Sequence, residues 1–405
     1  MGNQATSNHK TIMIFGAGIN QLELIKAAKE LGVVSVVIDP QTDPPGRGMA
    51  DYYYQVDGKD YVTTKRIAIH HRIDGLVTGQ MEKPMRLMAR LAEDIGLDFH
   101  SPRIVEQCLD KWLMKQAFMK HSVPCAKGIL VQENESIKID QLTEYLFPLI
   151  IKPRDAFSSR GVYKVESESD LMDRFIETRS YASNGDVLIE EYMQGREFSV
   201  ETITWKGHTT IVQYTQKYIT PYPNTVEMAH LQPAELSNGE KEYIAKVVIS
   251  GINALEINNS AAHSEIMLTS DGPRIIEIGA RLGGDFISSH LTRASTGISM
   301  DRTAVQVALG VQPDLCPNKS NYSLVKYFDL PVGRKVQKIL SYDELLQQPG
   351  VVFAIIFTQP NDIIAPITHS ALRPGCILVK ADSLHEVFSL ADRYTKLLSA
   401  KVILG

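Results

Sequence analysis

Residues 261–284 read AAHSEIMLTSDGPRIIEIGARLGG. Ala261–Leu268 and Arg274–Ile278 are strand-like runs on either side of Ser270-Asp271-Gly272, a turn sequence, so the stretch predicts a β-hairpin. Side chains alternate along a strand, which puts His263 and Glu265 on one face. Glu277, Gly279 and Arg281 share a face as well, if the extended conformation continues that far. A turn centred on Asp271 sets Glu265 opposite Glu277, each six residues away. Ile266, Ile275, Ile276 and Ile278 mark the hairpin as core.

Two carboxylates directly opposed across a strand pair are destabilising unless something neutralises them. Mg²⁺ does so, because it takes oxygen ligands from one or two carboxylates and completes its shell with phosphate oxygens. Arg281 then faces phosphate or a substrate carboxylate through its planar fork. An exposed acidic pair, with Glu277 bridged to Arg281, accounts for the same letters, and the hairpin alone leaves both open.

Upstream, Lys152 ends an apolar strand, Phe147–Lys152, that Pro153 stops. A lysine in that setting needs a counter-charge, and nucleotide phosphate supplies one. The following loop, Asp155 to Gly161, is small and polar and carries Ser158, Ser159 and Gly161; its N–H groups and hydroxyls suit a lid over phosphate. Glu190-Glu191-Tyr192-Met193 ends a strand and precedes Gly195-Arg196-Glu197. That pattern suits a linker between lobes, where backbone groups meet an adenine edge and Glu197 holds ribose hydroxyls. A charged strand end is the better reading if the stretch is taken by itself.

Residues 1–109 alternate apolar runs (Thr11–Phe15, Val33–Ile38, Gly75–Thr78) with helical patterns (Gln21–Leu31, Met85–Ile95), the signature of a parallel sheet flanked by helices. Gly16-Ala17-Gly18 with Asp39 invites a dinucleotide-binding reading, but the third glycine of that fingerprint falls at Gln21 and the reading fails. His70-His71, outside any motif, reads as a solvated pair. From residue 313 the chain carries short β-rich runs and a final helix near Leu384–Leu398. Three units follow: an α/β domain at 1–109, a two-lobed α+β domain at 110–312 with its small lid lobe at about 125–190, and a β-rich C-terminal lobe at 313–405.

Composition agrees with an enzyme of several domains: 405 residues, 44% hydrophobic, 22% charged, net charge −5. No basic face for nucleic acid or a membrane surface follows from that balance. The four cysteines are scattered, with no metal-ligand or disulfide spacing. The polar N-terminus lacks a signal-peptide core, and no apolar run approaches the roughly 18 residues that cross a bilayer. A cytoplasmic protein is expected, with a homodimer as the general prior.

Taken in order, Lys111, Lys152-Pro153, the Ser-rich loop, Glu-Glu-Tyr-Met, Gly-Arg-Glu, His-Ser-Glu and Glu-Ile-Gly-Ala-Arg resemble the ATP-grasp superfamily over nearly the whole chain. The resemblance implies ATP and Mg²⁺ (or Mn²⁺) as cofactors. It implies that Lys111 and Lys152 contact phosphates and that Glu190 faces the adenine amino group. By the same resemblance the backbone of Glu191 and Met193 holds the other adenine edge, Glu197 binds ribose, and Glu265 and Glu277 ligate the metal. The sequence departs from the family at Gly279, where many members carry an asparagine ligand.

Glu277 to Gly284 looks most like the L-amino-acid ligases that make dipeptides. That likeness puts Glu227 and His230 at the amino-acid substrate, and Arg281 with the Gly283-Gly284 backbone at its carboxylate or at the acyl-phosphate oxygens. Asp285 stands where a member of that group carries a bulky aromatic, so a cationic or hydroxyl-bearing substrate is expected. The implied reaction is carboxylate–amine ligation through an acyl phosphate, with Lys152 and Arg281 stabilising the transferring phosphoryl group and ADP and phosphate released. Rivals are a purine-pathway-like ligase using carboxyphosphate or formyl phosphate, and a nucleotide-binding regulator without catalysis.

Overall fold

The computed structural model describes residues 9–137, 142, 144–156, 160–221 and 225–405. Near the N-terminus, β1 (Thr11–Phe15), β2 (Val34–Asp39), β3 (Tyr52–Gln55) and β4 (Gly75–Thr78) make a parallel sheet in the order β3-β2-β1-β4. The core residues of β1, Ile12, Met13, Ile14 and Phe15, are all buried, as a strand covered on both faces requires. Helix Met85–Ile95 turns Met85, Met88, Ala89, Leu91 and Ala92 inward at helical spacing and ends at Gly96, whose φ of +73° suits glycine. Asp39 accepts from the Ala17 and Gln41 N–H groups, each at 2.8 Å, and so holds the turn after β1. His71 is half-buried and bonds Tyr54 Oη at 2.7 Å, unlike the solvated pair expected. Its neighbour His70 is exposed.

A second, antiparallel sheet forms the lid: β5 (Gly128–Val131), β6 (Leu149–Pro153), β7 (Tyr163–Val165) and β8 (Val187–Glu191), in the order β5-β8-β6-β7. Leu149 and Ile151 of β6 and Val187 and Ile189 of β8 pack with Leu171 and Phe175 of helix Glu168–Tyr181. Strand alternation therefore turns Ile150, Lys152 and Glu190 to the opposite face.

The main sheet has eight strands in the order β13-β12-β9-β10-β11-β14-β17-β16. These are β9 (Gly195–Trp205), β10 (His208–Ile219), β11 (Glu227–Gln232), β12 (Ser260–Thr269), β13 (Gly272–Gly279), β14 (Tyr322–Phe328), β16 (Val351–Ile356) and β17 (Gly375–Ala381); β15 (Val336–Ile339) pairs apart with β18 (Val402–Leu404). Lys206 and Gly207 join β9 to β10 with φ of +49° and +79°, the two-residue turn that matches strand twist. Helix Asn238–Ala254 opens on a reciprocal cap between Ser237 and Glu240 and packs on β13.

The sequence predicts a separate lobe from residue 313. Instead β14 pairs with β11, from Ala229↔Lys326 to Gln232↔Ser323, and β17 and β16 extend the same sheet. Strand runs alone do not tell which sheet they join, because that depends on partners distant in sequence. The expected hairpins and the final helix (Leu384–Ser399) are present.

Candidate active site

Between the lid, the main sheet and the C-terminal ends of β1 and β4 lies a cleft of about 1040 Å³. On the lid side Lys152 reaches it from β6, and its Nζ lies 2.6 Å from Glu190 Oε2; Lys115 Nζ is 2.9 Å from Glu190 Oε1. Burial by itself pushes the Glu190 carboxyl up, but the Lys152 and Lys115 ammonium groups more than reverse this and hold it below its ordinary value. Glu190 is expected to face adenine; its carboxylate is instead shared by two lysines, because a buried anion needs that compensation. Lys111 Nζ donates to Ala156 O at 2.7 Å and stands 3.7 Å from Glu277 Oε2. The Glu191 carboxylate accepts from Lys127 N–H and from Arg274, leaving its backbone and that of Met193 on the cleft wall.

Across the cleft, β12 and β13 pair with Glu265 directly opposite Glu277, as the turn at Asp271 predicts. A register shift follows immediately, between Glu265 and Ile266. Lys217 of β10 sits among three carboxylates: Glu197 at 2.6 Å, Glu265 at 2.9 Å and Glu227 at 3.3 Å. Burial would push its ammonium down, yet these carboxylates, Glu197 foremost, hold it well above its ordinary value. Glu197, expected at ribose, is thus bonded to Lys217.

Glu265 and Glu277 present oxygen donors side by side, while Gly279 offers none. Among the described residues no group of three or more His, Cys, Asp or Glu is arranged to hold an ion. The pair therefore fits Mg²⁺ only as two ligands of a shell completed by phosphate and water, which is how Mg²⁺ is commonly bound.

Arg281 does not bridge to Glu277. Its Nε donates to Glu82 Oε1 at 3.0 Å, its Nη2 reaches the same oxygen, and its Nη1 donates to Leu282 O. Glu82 follows β4, so the pair ties the N-terminal sheet to the hairpin.

At the far end, Asp285 accepts both Arg373 nitrogens, at 2.6 and 2.8 Å, and pairs with His230 Nε2 at 2.9 Å. Arg373 lies 3.6 Å over the Tyr327 ring and donates to Glu227 O. Burial pushes the Asp285 carboxyl up, but Arg373 and His230 hold it far below the usual range. The charge of the carboxylate, where a cationic or hydroxyl-bearing substrate is expected, is thereby balanced by Arg373 within the protein. Asp285 and Phe286 have φ of +54° and +62°, a left-handed pair that bends the chain into the cleft. Among the described residues, buried His230 Nδ1 and Tyr327 Oη lack hydrogen-bond partners.

Residues 145–289, the span that holds all of this except Glu82, Lys111, Lys115, Lys127 and the Arg373 and Tyr327 end, match the sequence model of the ATP-grasp domain. The chain carries an ATP-grasp domain. Its relatives and structural neighbours include carboxylate–amine ligases. It is 24% identical to formate-dependent phosphoribosylglycinamide formyltransferase of Sulfolobus acidocaldarius, over 93% of this chain and 94% of that one. It is 25% identical to dapdiamide A synthase of Enterobacter agglomerans, over 68% and 67%. L-amino acid ligase from Bacillus licheniformis shares the fold, with a TM-score of 0.83 at 21% identity and 98% of each chain covered.

Of the residues expected from sequence to meet the nucleotide, the cleft gathers Lys111, Lys152, Glu190, Glu191, Met193 and Glu197. It gathers Glu265, Glu277 and Arg281 at the centre, with Glu227, His230, Gly284 and Asp285 beyond. Gly283 is packed behind the wall against His263 and Glu201, and Gly161 packs on Tyr181 and Pro153, away from the cleft lining. Ser158 and Ser159 fall outside the described residues. Sequence reasoning missed Lys217, Glu82, Glu201 and Arg373. Glu82 was findable, since it follows the C-terminal end of a parallel strand, where open α/β sheets bind ligands. Glu201, a carboxylate within the strand run Phe198–Thr204, also carried a signal. Lys217 and Arg373 carried little, because their partners come from remote strands. No helix among the described residues is long and apolar enough to cross a membrane.

Proposed function

We propose that this ligase activates a one-carbon acid, formate or bicarbonate, as its acyl phosphate and transfers it to an amine, releasing ADP and phosphate. The observation that carries the reaction type is the convergence of Lys111, Lys152, the opposed Glu265 and Glu277, and Arg281 on a single cleft. Lys152 and Lys111 hold the phosphate end of ATP, and the backbone of Glu191 and Met193 borders the base. A carboxylate oxygen of the acid attacks the γ-phosphorus in line, and the bond to ADP breaks. Lys152 and Arg281 stabilise the charge on the transferring group by position and electrostatics, so no nucleophilic side chain is required. Bound at Glu265 and Glu277, Mg²⁺ supplies further neutralisation of the phosphate oxygens. Arg281, oriented by Glu82, and the Gly284 backbone face the acyl end; the amine then attacks the acyl carbon and phosphate leaves.

Support for a one-carbon acid comes from the formate-dependent relative that matches nearly end to end. The Asp285 carboxylate, ionised and already paired with Arg373, is consistent with that reading, since its charge is balanced without a cationic amino acid. The amino-acid reading keeps the support of the dapdiamide synthase relative and of Glu227 and His230 on the cleft wall. Phosphate release with Mg·ATP, measured over a matrix of formate, bicarbonate and L-amino acids against a panel of amines, with mass spectrometry of products, separates the two. Release that requires formate or bicarbonate is expected; release only with paired amino acids would transfer the proposal to the second reading. AMP as the only nucleotide product would refute both.

A further inference from the structure

Glu201 sits in the middle of β9 with no exposed surface, and both its oxygens are engaged. Oε1 accepts from His263 Nδ1 at 2.6 Å, and Oε2 accepts from Ser288 Oγ at 2.9 Å. The acceptor-only carboxylate requires the proton on Nδ1. Ser288 Oγ in turn accepts the Gly283 N–H at 2.7 Å. The other imidazole nitrogen, His263 Nε2, lies 3.6 Å from Glu265 Oε1. Strand register produces the first contact, with His263 opposite Glu201 across β12 and β9. Close packing produces the second: a Cβ on Gly283 would stand 2.6 Å from His263 Nδ1 and 2.7 Å from Glu201 Oε2.

We propose that Glu201 is a positioning residue that locks two parts of the ligase site into one unit. Through His263 it orients Glu265, on the metal side. Through Ser288 it fixes the Gly283–Gly284 turn, on the acyl side. Groups behind a metal ligand commonly set its orientation and affinity. Here the dependence is sharpened, because Gly279 supplies no side chain beside Glu265 and Glu277, and Glu265 is steered by Lys217 and His263 alone among its ion-pair partners in the described residues. A separation fixed in this way suits a reaction whose phosphoryl donor and carboxylate must meet in line.

The inference rests on the reading of Glu265 as a metal ligand, and the test separates the two. Mn²⁺ binding to the full-length protein in the presence of ADP is measured by electron paramagnetic resonance, with KM for the carboxylate measured in parallel. Glu201→Gln is expected to weaken Mn²⁺ binding on the order of tenfold and to raise the carboxylate KM. Ser288→Ala, which touches only the acyl branch, is expected to raise that KM while Mn²⁺ affinity stays within about twofold. His263→Asn breaks only the metal branch, so it carries the Mn²⁺ prediction should Glu201→Gln fail to fold. Loss of Mn²⁺ binding in Glu265→Gln with wild-type binding in Glu201→Gln and His263→Asn would overturn the proposal. Unaltered binding in Glu265→Gln itself would overturn the metal reading beneath it.

Discussion

Asp285 and Asp301 stand sixteen residues apart in sequence, and their surroundings drive their carboxyl groups in opposite directions. Asp285 is held ionised by Arg373 and His230. Arg373 is only 6% exposed, so truncating Asp285 strands a buried cation. Asp285→Ala is expected to lower stability by about 3–5 kcal/mol, read as a fall in the urea midpoint. A change under about 0.5 kcal/mol would show that the pair carries no such weight. Asp301, in the first turn of helix Met300–Ala308, is buried with Oδ2 unpartnered among the described residues. Burial, then Glu23, pushes its carboxyl up to about 7. The unfolded chain loses that proton near pH 4 and the folded one near 7, so stability falls as pH rises across this window, by about 1.4 kcal/mol per unit at most. Asp301→Asn removes the penalty. Its gain in melting temperature is therefore expected to be large at pH 8 and small at pH 4.5; an equal gain at both would rule out the titration.

Elements meet in this molecule where side chains are absent. Gly195 opens β9 just after the linker that carries Met193, and a Cβ there would stand 2.2 Å from the Leu268 carbonyl oxygen of β12. Backbone cannot yield as a flexible side chain can. Gly195→Ala is expected to part the end of that strand pair at a cost of about 1–3 kcal/mol and to raise KM for ATP, because Met193 and Glu197 flank the same residue. Thermal denaturation and ATP titration check both halves, and an unchanged KM would separate the strand end from the nucleotide site. The same closeness recurs between Gly75 of β4 and Ala308 O, where the helix after the hairpin docks on the N-terminal sheet. These contacts explain how a cleft assembled from three regions keeps one geometry.

At the scale of the whole chain, the main sheet runs without a break from β13 to β16, so three strands of residues 313–405 are part of it, while β15 and β18 pair apart. Ending the chain at 312 would strip β14, β17 and β16 from β11 and uncover Leu231 along a bare strand edge. Such a truncation is expected to be insoluble or to lose its cooperative melt; a soluble, cooperatively melting 1–312 fragment would show that the C-terminal part is separable after all. Arg373 makes the same point in the site, since the truncation would also remove the partner of Asp285.

What the sequence determined alone was local. The hairpin register that opposes Glu265 to Glu277 follows from alternation and a short turn, both readable within 24 residues. Alternation along β6 parts Lys152 from Leu149 and Ile151, but that Glu190 shares its face was decided by the pairing of β6 with β8. Tertiary structure decided which distant charges meet: Lys217 with Glu197, Glu227 and Glu265, Arg281 with Glu82, Asp285 with Arg373. Each of these pairs joins different strands or domains. A buried charge states in sequence only that it needs a partner; which partner it takes is set by strand order and loop closure, and these emerge when the whole sheet is formed.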